Sequence, residues 1–289
     1  FAILVSQWFG AKEYERMRHY VAMSIYLSAG WAVLMTIGLG IANEPILRLM
    51  NYKDSIMPDV KAYMGIIYAG LIVTAAYNAL AAFLRALGDS KSPLYFLIIS
   101  AVINVGLDVA FIIYGGMGVE GCAYATVIAQ GISAVLSFSV LLLTLRGIKG
   151  DQDAVLKTGT GSGWKHIFSM TELRTMTGIA LPSILQQSTV SIGMMLVQSV
   201  VNSFGSQMLA GYSAAMRVES ICVVPMSAMG NAISSYTAQN IGAEQKDRVR
   251  EGYRAVTIMV LGFAAVICLA LELSGDSLAY LFLGADGTP

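Results

Sequence analysis

Seven long apolar segments constrain the fold of this chain more than any other feature. A membrane-spanning helix requires about 20 mostly apolar residues, and each of the seven segments reaches that length. Residues 1–9 continue this pattern and are interpreted as the end of an eighth span. The predicted fold class is therefore an all-α polytopic membrane protein. The complete segments are 21–43, 59–84, 93–115, 118–145, 175–203, 208–238 and 254–283.

The composition supports a bilayer as the solvent. Hydrophobic residues make up 56% of the chain and charged residues 12%, whereas a soluble domain carries about 25% charged residues. The net charge is zero, so nucleic acid is not a predicted partner. Neither the three cysteines nor the two histidines form a metal-ligand or catalytic cluster in the sequence. We therefore predict no cofactor, no resident metal and no enzymatic activity.

The basic residues predict the orientation of the spans. One alternating set of loops, 10–20, 85–92, 146–174 and 244–254, carries 14 of the 18 Lys and Arg residues. The opposite set, 44–61, 115–121 and 203–208, carries three. Loops rich in Lys and Arg face the cytoplasm, so the first set is predicted to be cytoplasmic. Charge and apolar length thus indicate the same topology independently.

A polar, Gly-rich segment at 147–173 is predicted to be a cytoplasmic linker between two membrane lobes. Residues 1–146 would form the N-terminal lobe, and residues 174–289 would begin the C-terminal lobe. Because the chain begins within one apolar run and stops shortly after another, we interpret it as a fragment that lacks both ends.

A short turn recurs at an offset of 232 residues. The first copy runs from Gln7 to Arg18 and the second from Gln239 to Arg250. Gln, Gly, Ala and both Arg residues match, and an acid is present at a sixth position. Both copies follow a span on the predicted cytoplasmic side, so the repeat is parallel. Counting spans between the copies predicts a protein of 6+6 helices, of which this chain holds helices 2 (its end) to 9. Parallel halves are a transporter architecture with the substrate site at their interface.

Five motifs together resemble the multidrug and toxic compound extrusion (MATE) family, and its DinF-like branch in particular. The resemblance covers the whole chain. It implies a two-lobe bundle of twelve helices that exports amphipathic or cationic compounds, driven by Na⁺ or H⁺. The motifs are Gln-x-x-Gly-Ala in both turns, Arg85-Ala-Leu-Gly88-Asp89-Ser-Lys91-Ser-Pro93, Asn104-Val-Gly-Leu-Asp108, Tyr212-Ser-Ala-Ala-Met-Arg217-Val-Glu219 and Tyr236-Thr-Ala-Gln239-Asn240-Ile-Gly242-Ala243.

Asp108 is the sharpest candidate site residue. A carboxylate well inside a span costs about 3 kcal/mol on insertion scales. Asn104 lies one helical turn earlier on the same face, and Thr126 lies at a similar or slightly outer depth on the next span. Such oxygens suit Na⁺. The carboxylate could instead hold a proton, since burial favours the neutral acid, or it could be structural and pin a neighbouring helix. By resemblance, the three residues match the polar cluster of the family's N-terminal lobe, which also uses an Asp on helix 1.

Tyr63 and Asn78 are further candidates for the same cluster by similarity alone. They are fifteen residues apart, or about 22 Å along a helix, so they cannot both contact one ion. Tyr63 fits the depth of Thr126, and Asn78 lies nearer the cytoplasm.

The second lobe offers candidates for a substrate chamber. The span at 175–203 has side-chain amides but no acidic residue. Two methionines, one on this span and one on the next, offer adaptable apolar contacts. The amides could equally join helices. On the next span, Arg217 and Glu219 are predicted to belong to a buried structural ion network. The chamber candidates are Gln186, Gln187, Gln198, Asn202, Met194 and Met216.

We therefore expect an antiporter that exchanges a small amphipathic substrate for Na⁺ or H⁺ by alternating access of two lobes. It is expected to be a monomer in the lipid bilayer of a prokaryotic inner membrane. The alternative is a flippase for a lipid-linked precursor. That class tends to need a strongly cationic central cavity, which the cytoplasmic bias of the basic residues disfavours.

Overall fold

The computed structural model describes residues 1–49, 57–148, 169–202, 204 and 206–283. At 49, 202, 206, 207, 209, 210 and 274–283 only the backbone is described. The regular elements in this part are all helices, which confirms the predicted class. They are α1 (Ala2–Gly10), α2 (Tyr14–Leu49), α3 (Met57–Ala86), α4 (Lys91–Val109, continued by a π-helical turn over Ala110–Tyr114), α5 (Gly118–Gly147), α6 (Met170–Asn202), α7 (Ser206–Gly242) and α8 (Lys246–Leu283).

Six of the seven predicted spans coincide with helices long and apolar enough to cross a membrane, counted within the described residues. The seventh, 208–238, forms α7 but is less apolar than the others. Its serines and asparagines, together with Arg217 and Glu219, lower its hydropathy. The six are Tyr14–Arg48, Met57–Ala86, Lys91–Tyr114, Gly118–Gly147, Met170–Val201 and Lys246–Leu273.

The chain divides into two compact units, Phe1–Ser169 and Met170–Pro289. In unit 1, α3 packs against α2 and α5, α4 packs against α5, and α1 contacts both α2 and α3. In unit 2, α7 packs against α8 and more sparingly against α6. The division falls within the segment predicted as a linker. The lobe boundaries stay a prediction, because 149–168 lies outside the described residues.

Many large apolar side chains point away from each unit. Leu196 on α6 and Leu261 on α8 are each 65% exposed, and Val135 on α5 is 66% exposed. Such a surface is unfavourable in water, because exposed apolar area costs about 25 cal/mol per Å². Hydrocarbon removes that cost, so the outward faces of these helices suit a lipid environment.

The two ends of unit 1 carry different polar contacts. At the start of α2, Arg18 donates hydrogen bonds from Nη2 to the carbonyl oxygens of Leu145 (2.9 Å) and Ile148 (3.0 Å) at the end of α5. Two segments of the predicted cytoplasmic set therefore meet at one end. At the other end of α2, Glu44 pairs with Arg48 (2.6 Å) and Lys61 (2.7 Å). Basic residues of both loop sets thus lie where the predicted topology places them.

The repeated turn has the same backbone hydrogen bonds in both copies. In the first copy, residues 11, 12, 13 and 17 donate to residues 7, 9, 8 and 13. Adding 232 to every number gives the four bonds of the second copy, from 243, 244, 245 and 249. The second residue after each helix end, Lys12 or Glu244, has φ +58. Sequence identity at a few positions therefore corresponds to one shared turn geometry.

Glycine at either of these left-handed positions is expected to stabilise the protein. Lys12 and Glu244 adopt a conformation that costs a residue with a Cβ about 1–2 kcal/mol. Part of that gain is lost to the greater freedom of an unfolded glycine, so Lys12→Gly and Glu244→Gly should each raise the free energy of unfolding by up to about 1 kcal/mol. Thermal unfolding in detergent measures this effect. Gln245→Gly, one position further on, is the matched control and should lower stability; a lower melting temperature for Lys12→Gly would contradict the expectation.

Two residues of the Arg85–Pro93 motif, Gly88 and Asp89, determine the geometry of the turn between α3 and α4. Gly88 follows the end of α3 with φ +90, which favours glycine. The Asp89 carboxylate then accepts hydrogen bonds from the backbone N–H groups of Lys91 (3.1 Å) and Ser92 (3.0 Å) in the first turn of α4. Partial burial acts to raise the pKa of Asp89, but the hydrogen bonds from Ser92 and Lys91 outweigh it and lower the pKa. Asp89 therefore caps α4 as a carboxylate.

Helices α3 and α5 approach closely at Gly70. A Cβ built on this glycine would lie 3.3 Å from the Val127 Cβ and 3.1 Å from its Cγ1, and closer still to its Cγ2. Close approach at small residues is the usual way in which membrane helices pack. Gly65, five residues earlier on α3, has more room: the nearest atom to its added Cβ is the Asn43 Nδ2 at 3.9 Å.

Candidate cation-coupling site

The structure brings together two of the five predicted coupling residues. Asn104 on α4 donates from Nδ2 to Oγ1 of Thr126 on α5, at 3.4 Å. The Thr126 hydroxyl itself donates to the carbonyl oxygen of Cys122, at 2.9 Å. The Thr126 oxygen is thus held at the helix interface, beside an amide whose own oxygen is a further possible ligand.

Asp108 lies one turn beyond Asn104 on α4 and is half-buried. Its Oδ1 is shielded from solvent and has no hydrogen-bond partner among the described residues. A buried acceptor without a donor costs about 1–3 kcal/mol, more when it is charged. Such an atom calls for an explanation, and a bound cation or a proton would each supply one. Asp108 and the Asn104–Thr126 pair form the candidate cation-coupling site.

A π-helical turn begins two residues after Asp108, and the sequence analysis did not predict it. Over Ala110–Tyr114 the backbone hydrogen bonds join residues five positions apart instead of four. For example, Gly115 N donates to Ala110 O at 3.0 Å. Gly121 on α5 lies against this turn, because an added Cβ would approach the Phe111 Cβ to 3.0 Å. Single π turns occur frequently at functional sites. The glycines at 115, 116 and 118 were the available signal of irregular backbone.

Tyr63 and Asn78, the candidates from resemblance, do not hydrogen-bond to Asp108 in the described part of the chain. Tyr63 is half-buried on α3. Asn78 is exposed and donates to the carbonyl oxygen of Thr74 in the previous turn, at 3.0 Å. Thr74 in turn donates its hydroxyl proton to Oε1 of Gln130 on α5. This Thr74–Gln130 pair was missed from sequence, although Gln130 is one helical turn from Thr126.

The chamber candidates of unit 2 differ in exposure. Gln186, Gln187 and Met194 are exposed on α6, whereas Gln198 and Met216 are half-buried. The side chain of Asn202 lies outside the described residues. Their common role as a substrate chamber stays a prediction.

Arg217 and Glu219 on α7 are both exposed, contrary to the predicted burial. Neither forms an ion pair with a described residue. They lie two residues apart on one helix, so their side chains point in different directions. The predicted ion network stays a prediction.

No group of three or more His, Cys, Asp or Glu side chains in the described ranges could hold a metal ion. The chemistry of the candidate site is that of oxygen ligands supplied by one carboxylate, one amide and one hydroxyl. Oxygen ligands of this kind suit a hard cation.

Comparison with known proteins identifies the family. The model of the MatE family matches residues 1–110 and 182–287, and each match contains one copy of the repeated turn. The chain belongs to the MatE family. The family is one of multi-pass membrane transporters. The parallel halves that the turn predicted stay a prediction.

Two curated relatives and one solved structure illustrate the similarity. The probable multidrug resistance protein YpnP of Bacillus subtilis is 33% identical over 85% of this chain and 52% of its own length. DNA damage-inducible protein F of Escherichia coli is 22% identical over 93% of this chain and 57% of its own length. The family is thus shown, and the DinF-like branch stays a prediction. The chain spans just over half the length of these relatives.

The fold agrees with a solved structure described as MATE in the bent conformation. The TM-score is 0.87 at 23% identity, and the match covers 99% of this chain and 62% of that structure. The predicted arrangement of helices is confirmed by this match.

Proposed function

We propose that the protein containing this chain exports small amphipathic or cationic compounds in exchange for Na⁺ or H⁺ entering the cell. The observation that carries the proposal is Asp108. It has a buried carboxylate oxygen without a donor, next to the Asn104–Thr126 pair. The similarity to YpnP, a probable multidrug resistance protein, supports the substrate class.

In such an exchange, the cation and the substrate act on the same equilibrium between two orientations of the transporter. A cation at Asp108 favours one orientation of the transporter only if it binds that orientation more tightly. The coupling is reciprocal, because substrate binding then changes the affinity for the cation by the same factor. A carboxylate with few protein partners suits this role, since the cation supplies most of its stabilisation.

Transport in liposomes is the direct test. The full-length transporter, reconstituted with ethidium as the substrate probe, should move ethidium only when a Na⁺ or H⁺ gradient is imposed. Each gradient is applied separately while the other cation is held equal on both sides. We expect one gradient to raise the initial rate by about tenfold or more over the rate without a gradient, within the usual range of coupling.

Equal ethidium flux with and without both gradients would contradict exchange. Movement of a lipid-linked precursor, with no movement of ethidium, would favour the flippase.

A further inference from the structure

A second polar contact lies beside the candidate coupling site and has no assigned role. Thr74 on α3 donates its hydroxyl proton to Gln130 Oε1 on α5. Asn78, one turn after Thr74 on the same helix, donates from its side chain to the Thr74 carbonyl oxygen. All three belong to unit 1. Thr74 and Gln130 are half-buried, and Asn78 is exposed.

The helical geometry connects this contact to the coupling site. Thr126 and Gln130 are four residues apart on α5, so they share a face and are separated by about 6 Å along the axis. Thr74 and Asn78 are separated by the same spacing on α3. Gly70, one turn before Thr74, packs against Val127, and this close approach lets the Thr74 hydroxyl reach Gln130.

The polar side chains of this region follow one another toward the predicted cytoplasmic end of unit 1. Asn78 lies eight residues before Ala86, the last residue of α3, which is about 12 Å. Thr74 lies one turn above it, and the step to Gln130 crosses to α5. The oxygens of Thr126, Gln130, Thr74 and Asn78 thus form a series. Its first and last steps are about one helical turn, and its middle step is the direct contact between Gln130 and Thr74.

We propose that Thr74 and Gln130 form a second cation station, through which the coupling cation passes between Asp108 and the cytoplasm. This inference rests on the proposed function. The hydroxyl of Thr74 and the amide oxygen of Gln130 are neutral ligands, which hold a monovalent cation weakly. Weak binding suits a point of transit, because the cation must leave as well as enter. Asp108 remains the site at which the cation biases the conformation.

Hydrogen-bonding between helices is the competing explanation for the pair. Polar pairs between membrane helices contribute to packing, and a purely structural pair would affect stability without a specific effect on cation movement. The two roles are separable by measuring substrate binding, cation flux and unfolding in the same variants.

The experiment uses the full-length transporter in liposomes. Cation release is followed with ²²Na⁺ in one arm and with a pH-sensitive dye in the lumen in the other. Thr74→Val and Gln130→Leu should lower the rate of ethidium-driven cation movement by about tenfold or more, an effect within the usual range of coupling. The dissociation constant of ethidium without a cation gradient should stay within about twofold of the unmodified protein, because neither residue is placed in a substrate site.

Three variants make the interpretation specific. Thr144→Val on α5 is the matched control, since within the described residues the Thr144 hydroxyl bonds only to Val140 O in its own helix; it should leave both rates unchanged. Thr74→Ser retains the hydroxyl and should restore cation movement. Gln130→Met removes the amide at nearly constant side-chain length and replaces Gln130→Leu if that variant fails to accumulate in the membrane.

The outcomes separate the station from the proposed function. If the unmodified transporter exchanges ethidium for a cation, and Thr74→Val and Gln130→Leu do so at the same rate, the station is wrong and the proposed function stands. A lower melting temperature with unchanged cation rates would assign the pair to helix packing. If the unmodified transporter moves neither cation, both the proposed function and the station are overturned.

Discussion

Asp108→Asn is expected to abolish cation-driven export. The substitution retains the size of the side chain but removes the charge and the site for a transferable proton. The Asn104–Thr126 pair would remain, yet amide and hydroxyl oxygens alone bind a monovalent cation weakly. Ethidium export should fall to the rate of empty liposomes, a loss of about tenfold or more given the usual range of coupling energies. The variant should still accumulate in the membrane, because a neutral side chain is less costly in a span than a charged one.

Asp59→Asn is the matched control for that experiment. Asp59 is exposed in the first turn of α3, at the end predicted to face outward, and the same chemical change there should leave export unchanged. Export by Asp108→Asn at the unmodified rate would remove Asp108 from the mechanism. Loss of export in Asp59→Asn as well would indicate a general effect of surface charge.

Gly70→Ala is expected to lower the stability of unit 1. The added methyl group would overlap Val127, whose branched side chain has little freedom to move. Overpacking of this kind costs about 1–3 kcal/mol in the free energy of unfolding. Thermal unfolding of the purified transporter in detergent measures the change.

The neighbouring residues offer a rescue and a control. Val127→Ala removes the two methyl groups that meet the new Cβ, so Gly70→Ala/Val127→Ala should be more stable than Gly70→Ala alone. The difference from additivity gives the coupling between the two sites. Gly65→Ala on the same helix has space for its Cβ and should be neutral or slightly stabilising, because alanine favours helix by about 1 kcal/mol over glycine. Equal destabilisation by Gly65→Ala and Gly70→Ala would contradict the packing argument.

Most of the fold could be predicted from sequence, because in a bilayer apolar length and the distribution of Lys and Arg are strong signals. Segment 208–238 shows where this reasoning weakens. Its helix α7 forms, but its polar residues lower its apolarity below that of the other spans. The π turn at Ala110–Tyr114 was not predictable in the same way, since one extra residue in a helical turn leaves the apolar pattern almost unchanged.

The contacts of the candidate site could be predicted from sequence only where the depth of two residues along their spans was sufficient to pair them. Asn104 and Thr126 lie at matching depths on consecutive helices, and they are in contact. The Thr74–Gln130 contact joins α3 to α5, which are not consecutive. No spacing in the sequence identifies which face of α3 meets α5, so that pair required the structure. The role of resemblance was equally limited, because it named Asn78 but not the Thr74–Gln130 pair beside it.

The repeated turn has a consequence for how the protein is made. Every backbone hydrogen bond of each copy joins residues at most five positions apart, so a copy can close without waiting for distant parts of the chain. Local contacts form fastest. As the ribosome delivers the chain, the helices on either side of residues 10–14 and 242–246 can therefore enter the bilayer as preformed hairpins. The same early intermediate, a helical hairpin closed by this turn, would then form twice during one round of synthesis, once in each half.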